Sequence, residues 1–127
     1  MKTRFILCLA LLAFASFVDA ATIKIHFISG AREYKSEESL KKFIPWLEKH
    51  HDVKYTVSWG HDGIDKLPNL EALAQADVMF VFARRMKLVE PQMKLIRAHW
   101  DKGKPIVGVR TASHAFQKAD NEIFDRQ

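Results

Sequence analysis

At 127 residues and 14.7 kDa, the chain has room for one small domain and not for two. Its formal net charge of +5 suits an anionic ligand or an envelope surface. It carries no aromatic-and-basic stripe of the kind that single-stranded nucleic acid requires, so a nucleic-acid partner is excluded. The one cysteine, Cys8, excludes an intrachain disulfide.

Lys2 and Arg4 precede an almost unbroken apolar run over residues 5–17. Val18-Asp19-Ala20 then sets short residues where a signal peptidase reads them, so residues 1–20 read as a signal peptide cleaved after Ala20. The run is shorter than the roughly 20 residues of a stable membrane anchor. A buried N-terminal helix is the alternative. Export to the periplasm or the medium is expected, with no thiol left in residues 21–127 and no membrane anchor after cleavage.

Residues 22–29 read as the first strand, with Ile23, Ile25 and Phe27 on one face and Lys24, His26 and Ile28 on the other. Residues 30–35 form a loop, and Ser36 is expected to cap a helix whose first turn carries Glu37 and Glu38. Leu40, Phe43, Ile44 and Leu47 give that helix an apolar face, and Pro45 predicts a kink or restart. Residues 53–58 are the second strand, residues 61–67 are irregular around the turn signal Asp62-Gly63, and residues 70–75 form a short helix. Residues 78–82 are apolar on both faces, as a central parallel strand must be. A helix then begins near Pro91, carries Met93, Ile96 and Trp100 as its apolar stripe, and ends at Gly103. Residues 105–109 are expected to be a further buried strand, with a helix from His114 to about Asp120. Strands alternating with helices make the class α/β with a parallel sheet.

In such a sheet, ligands bind beyond the carboxyl ends of the strands. The loops leaving that edge bring Arg32, Arg84, Arg85 and Arg110 to one side, and a helix starting near His114 would add N–H donors. Solvated loop arginines paired with Glu33 or Glu90 are the bland alternative, favoured for Arg32 and Arg85 and disfavoured for Arg110, which follows directly from a buried strand. Ser113 reads as a helix cap, its side chain diverging from that of His114 by about 100°. His61-Asp62 and His114 are the available acid/base candidates. The histidines show no metal-ligand spacing, and no cofactor or metal site is read. Among the tryptophans, Trp100 reads as core, while Trp59, beside Gly60, is the one placed to stack on a sugar ring.

Three stretches carry a family resemblance. Ile28-Ser29-Gly30-Ala31-Arg32-Glu33-Tyr34-Lys35-Ser36-Glu37-Glu38-Ser39-Leu40 resembles the opening of trehalose-utilisation (ThuA-like) proteins. Phe82-Ala83-Arg84-Arg85-Met86-Lys87-Leu88, followed by Pro91-Gln92-Met93, resembles their middle. Gly103-Lys104-Pro105-Ile106-Val107-Gly108-Val109-Arg110-Thr111-Ala112-Ser113-His114-Ala115-Phe116 is the closest part. The resemblance covers essentially all of residues 21–127. It implies a flavodoxin-like parallel sheet with helices on both faces, in its class I glutamine amidotransferase-like version, with four strands present. Arg110 stands where amidotransferases carry a nucleophilic cysteine, so thiol chemistry is not expected there. Family members are about twice as long, which implies that this chain is their N-terminal part, as a truncated gene product or a half-domain completed by a partner.

The expected function is carbohydrate-related, binding or converting a sugar or an oxidised sugar. Ligand contacts would come from Arg110, Arg84, Arg85, Arg32 and Ser113, and acid/base work from His61 or His114. A noncatalytic binding module for a small anionic or sugar-like molecule, and a fragment without independent activity, are the alternatives. A sheet ending at its fourth strand leaves an edge through which copies of the chain could associate.

Overall fold

The structure is a computed structural model that describes residues 21–117; the expected signal peptide, and the part of the last expected helix beyond residue 117, lie outside the described residues. Four strands, β1 (Ile23–Gly30), β2 (Val53–Trp59), β3 (Val78–Ala83) and β4 (Ile106–Gly108), form one parallel sheet in the order β2-β1-β3-β4. Two α-helices, α1 (Ser36–His50) and α2 (Glu90–Asp101), and a 3-10 helix at Leu70–Gln75 provide its crossovers. This is an α/β sheet of flavodoxin-like type. Among the described residues, no helix is long and apolar enough to cross a membrane.

The alternation expected of β1 divides the core in two. Phe27 faces α1, in a cluster with Leu40, Ile44 and Phe82. Ile28 faces the other way, packed with Leu70, Leu73, Met79, Val81, Met93 and Ile96 beneath the 3-10 helix and α2. Helices therefore cover both faces, and β1 and β3 are central, as the apolar run of β3 requires.

Several local expectations change. Helix α1 runs unbroken through Pro45, an exposed residue, so the carbonyl that loses its partner can be hydrated instead. Ser36 is the first residue of that helix, not its cap: Lys35 takes the cap position in the left-handed region at φ 51°. The Ser36 hydroxyl turns inward, accepting the Ala31 N–H at 2.9 Å and sharing a proton with Ser29 Oγ at 2.9 Å.

Trp100 is half exposed, and His99 takes the buried position instead. The buried face of α2 is Gln92, Met93, Ile96 and His99, an i, i+1, i+4, i+7 set hidden from an apolar-periodicity reading by its two polar members. Gln92 earns its burial by bridging both backbone groups of Leu67, at 2.7 and 2.6 Å. Gly103 ends this helical segment at φ +65°, where a side chain would be strained. Strand β4 is short, and Val107 is 43% exposed, so it is an edge strand and not a buried one.

Candidate functional site

The carboxyl ends of all four strands point to one rim, and backbone bonds tie their loops together. Gly60 N–H donates to Ser29 O at 2.8 Å, and Arg84 N–H to Gly30 O at 3.2 Å. Gly63 N–H donates to Arg85 O at 2.9 Å, while Arg85 and Met86 N–H donate to His114 and Ala115 O, both at 2.7 Å. Gly30 leaves room here for the terminal methyl of Met86, which a Cβ at this position would force to shift.

The arginines divide by use. Arg84 is the only one of the four expected rim arginines with an ion pair among the described residues; it joins Glu33, and lies 3.8 Å from Asp62. It thus holds the loops after β1, β2 and β3 together. Arg110 lies over the Tyr34 ring, 4.4 Å from its centroid, a cation–π contact linking the β4 turn to the β1 loop. Arg32 and Arg85 have no ion pair among the described residues, and Glu90 pairs with Arg97 instead. The pairing expected for loop arginines therefore falls on Arg84, not on Arg32 or Arg85.

Above β1 and β2 the rim opens into a cavity of about 540 Å³, lined by Arg32, Lys35, Lys41, Trp59 and His61 together with the first turn of α1. Trp59 offers one half-buried indole face, with Lys41 Nζ 5.6 Å from the ring centroid. Glu37 is bonded to Lys41 at 2.6 Å and Glu38 to Lys42 at 3.0 Å, which lowers the Glu38 carboxyl below its usual range. His61 does not pair with the Asp62 carboxylate. Its Nδ1–H donates to the Asp62 backbone carbonyl at 2.9 Å, which leaves Nε2 as the exposed acceptor.

The turn after β4 departs most from expectation. A 3-10 turn, Ala112–His114, stands where a helix starting at His114 was expected, and the chain then makes a bridge from Phe116 to Met86. The N–H groups of His114 and Ala115 are spent inside the turn on the Thr111 and Ala112 carbonyls, so these two are not free donors at the rim. Ser113 lies within this turn and caps nothing; Thr111 holds the cap position. In the tighter turn, the Ser113 and His114 side chains meet rather than diverge, Oγ to Nδ1 at 2.7 Å. Thr111 sits at φ 74°, costly for a β-branched residue, and its hydroxyl donates to Ala83 O at 3.1 Å.

Arg32 and His61 thus share the cavity, Arg84 braces it, and Arg85, Ser113 and His114 cluster on the β4 side. Among the described residues, Arg110 reaches the β1 loop through the Tyr34 ring. Sequence reading missed Lys35, Lys41 and Thr111. Lysines on an amphipathic helix carry no signal of a cavity, and a non-glycine residue at positive φ announces itself only in the backbone. Among the described residues, no three His, Cys, Asp or Glu side chains gather as metal ligands. No family model, curated protein or solved structure matches the chain.

Proposed function

We propose that the protein is an exported, ThuA-like, carbohydrate-directed protein that binds a sugar or oxidised-sugar ligand at the rim beside Trp59. The observation that carries this reading is the cavity of about 540 Å³ with an indole wall and Arg32, Lys41 and His61 around it. Its volume lies within the usual ~300–1,000 Å³ of small-molecule sites. The indole supplies an apolar plane for a pyranose ring, and the flanking cations and the His61 Nε2 acceptor suit hydroxyl and carboxylate groups. Nothing in this binding role requires a thiol or a metal.

Calorimetric titration of the secreted protein against neutral and oxidised sugars tests the reading. Trp59→Ala is expected to lower affinity for the best ligand at least tenfold, measured well below the variant's melting temperature, because the indole also packs against the Phe27 cluster and its loss should cost some stability. Equal affinity in the variant, or no binding across the panel, would refute it. The apolar run before Ala21 supports export, and N-terminal sequencing of the secreted chain should begin at Ala21.

The bond between Ser113 Oγ and His114 Nδ1 favours a second reading, in which a ligand that extends along the rim to the β4 side is also converted. Product analysis alongside the titration separates the two. Turnover that Ser113→Ala abolishes supports catalysis, and binding without product supports a binding module.

A further inference from the structure

The cavity beside Trp59 is unevenly charged. Arg32, Lys35 and Lys41 are the cations of its lining and Glu37 and Glu38 the carboxylates, so one positive charge is left over. Both carboxylates are already engaged. Glu37 is bonded to Lys41 at 2.6 Å, and Glu38 to Lys42 at 3.0 Å, with Lys35 Nζ 3.9 Å from its second oxygen.

Arg32 stands outside these pairs. Its guanidinium makes no ion pair, hydrogen bond or ring contact among the described residues. The carboxylates of the neighbouring loops are directed elsewhere. Glu33, next in the chain, joins Arg84, while Asp62 accepts the Arg32 backbone N–H at 3.4 Å and lies 3.8 Å from Arg84. An unpaired arginine on an open surface is simply hydrated. Arg32 instead shares a cavity with an indole plane, so a ligand lying on the plane has a free guanidinium within the same enclosure.

The fork of a guanidinium matches a carboxylate with two parallel N–H···O bonds, a geometry that the lysine ammonium groups of the cavity cannot reproduce. A neutral sugar leaves the surplus charge uncompensated. A phosphate monoester overshoots it, since it carries about two negative charges. A single carboxylate balances it, and an apolar ring face alongside suits the indole.

We infer that the ligand is a monocarboxylated pyranose, a hexuronic acid or its glycoside, with its ring on Trp59 and its carboxylate on Arg32. This assignment rests on the reading of the rim as a sugar site and narrows it to one class. Trp59 then sets affinity for the ring, His61 Nε2 is left to accept from a hydroxyl, and Arg32 sets the preference for the acid.

The test is calorimetric titration of the secreted protein with the methyl glycosides of glucose, galactose and mannose, each beside its uronic acid and its 6-phosphate counterpart. The best uronate should bind about tenfold more tightly than its neutral parent, as one charge-assisted contact allows, and the margin should shrink as salt is raised. Arg32→Gln, at an exposed position, should remove most of that margin and leave the neutral sugar's affinity unchanged. Arg32→Lys should restore only part of it, and Trp59→Ala should weaken acid and neutral sugar alike. Equal binding of acid and parent, a preference that survives Arg32→Gln, or tighter binding of the phosphate would each overturn the assignment while leaving the sugar site in place. Absence of binding by every compound would overturn the sugar site, and the assignment with it.

Discussion

Phe27 and Ile28 are neighbours on β1, both fully buried, yet they face two differently finished sides of the sheet. The Ile28 side is closed by α2 and the 3-10 helix over a broad aliphatic cluster, and it also holds the polar side chains of His26, Gln92 and His99. The Phe27 side is aromatic and only part covered. Helix α1 lies over β1 and β2, leaving Phe80 and Val109 half exposed and Val107 open on β4. Ile28 itself is fully enclosed on the closed side, whereas the open side already meets water. Substitutions of similar size should therefore differ in cost according to the face they strike.

The largest expected effect follows from that difference. Ile28→Ala removes branched carbon from a fully enclosed site and should cost about 3–4 kcal/mol, within the usual range for such truncations. Phe80→Ala removes a larger side chain from the half-covered face, yet should cost only about 1–2 kcal/mol, because part of that ring is never taken from water. Urea unfolding of both variants measures the pair. Equal costs would break the contrast between the faces.

The closed face should also respond to acid. His26 is held by Thr56 Oγ1 at 2.6 Å and Ser58 Oγ at 3.0 Å, and burial, assisted by His99, lowers its pKa from 6.5 to about 4. Between these values the unfolded chain binds a proton that the folded chain does not. The stability contribution is therefore complete above pH 6.5, falls as pH drops toward 4, and is flat below. The loss over that window is about 3 kcal/mol. Thermal melts of the wild type and His26→Gln across the window should show a steep slope in the first and a shallower one in the second. Parallel slopes would remove His26 as the cause.

A smaller effect tests the polar tie on the same face. Gln92→Met keeps the volume but strands the Leu67 N–H and carbonyl, both of which rely on that amide. A cost of about 2 kcal/mol is expected. Hydrogen exchange should localise the change to the loop after β2, since it is that loop the amide holds to α2.

Much of this fold was legible in the sequence because apolar alternation and apolar runs are the direct imprint of burial. β1 and β3 show it plainly, as do the crossovers at Leu40 and Ile44. What escaped was burial achieved through hydrogen bonds. Gln92 and His99 look like surface residues until the carbonyls of Leu67 and Pro105 are in place. The rim was legible only as a place. Four arginines stand in loops that leave one edge, but which of them is tied down depends on carboxylates brought from other loops. That is why Arg84 and not Arg32 carries the ion pairs.

Arg84→Met gives the smallest predicted effect and bears most directly on the rim. The side chain is mostly buried, but its partners Glu33 and Asp62 are more open, so water and salt screen the interaction. A loss of about 1 kcal/mol is expected, shrinking as salt is raised. Its structural reach should exceed its energy. With the guanidinium gone, the Glu33 and Asp62 carboxylates no longer share a cation, and the loops carrying Arg32 and His61 lose their common brace. The cavity beside Trp59 should then bind its ligand more weakly, although Arg84 does not line it. If ligand affinity is unchanged while stability falls as expected, the loops are positioned by their backbone bonds alone, and the open face needs no electrostatic brace.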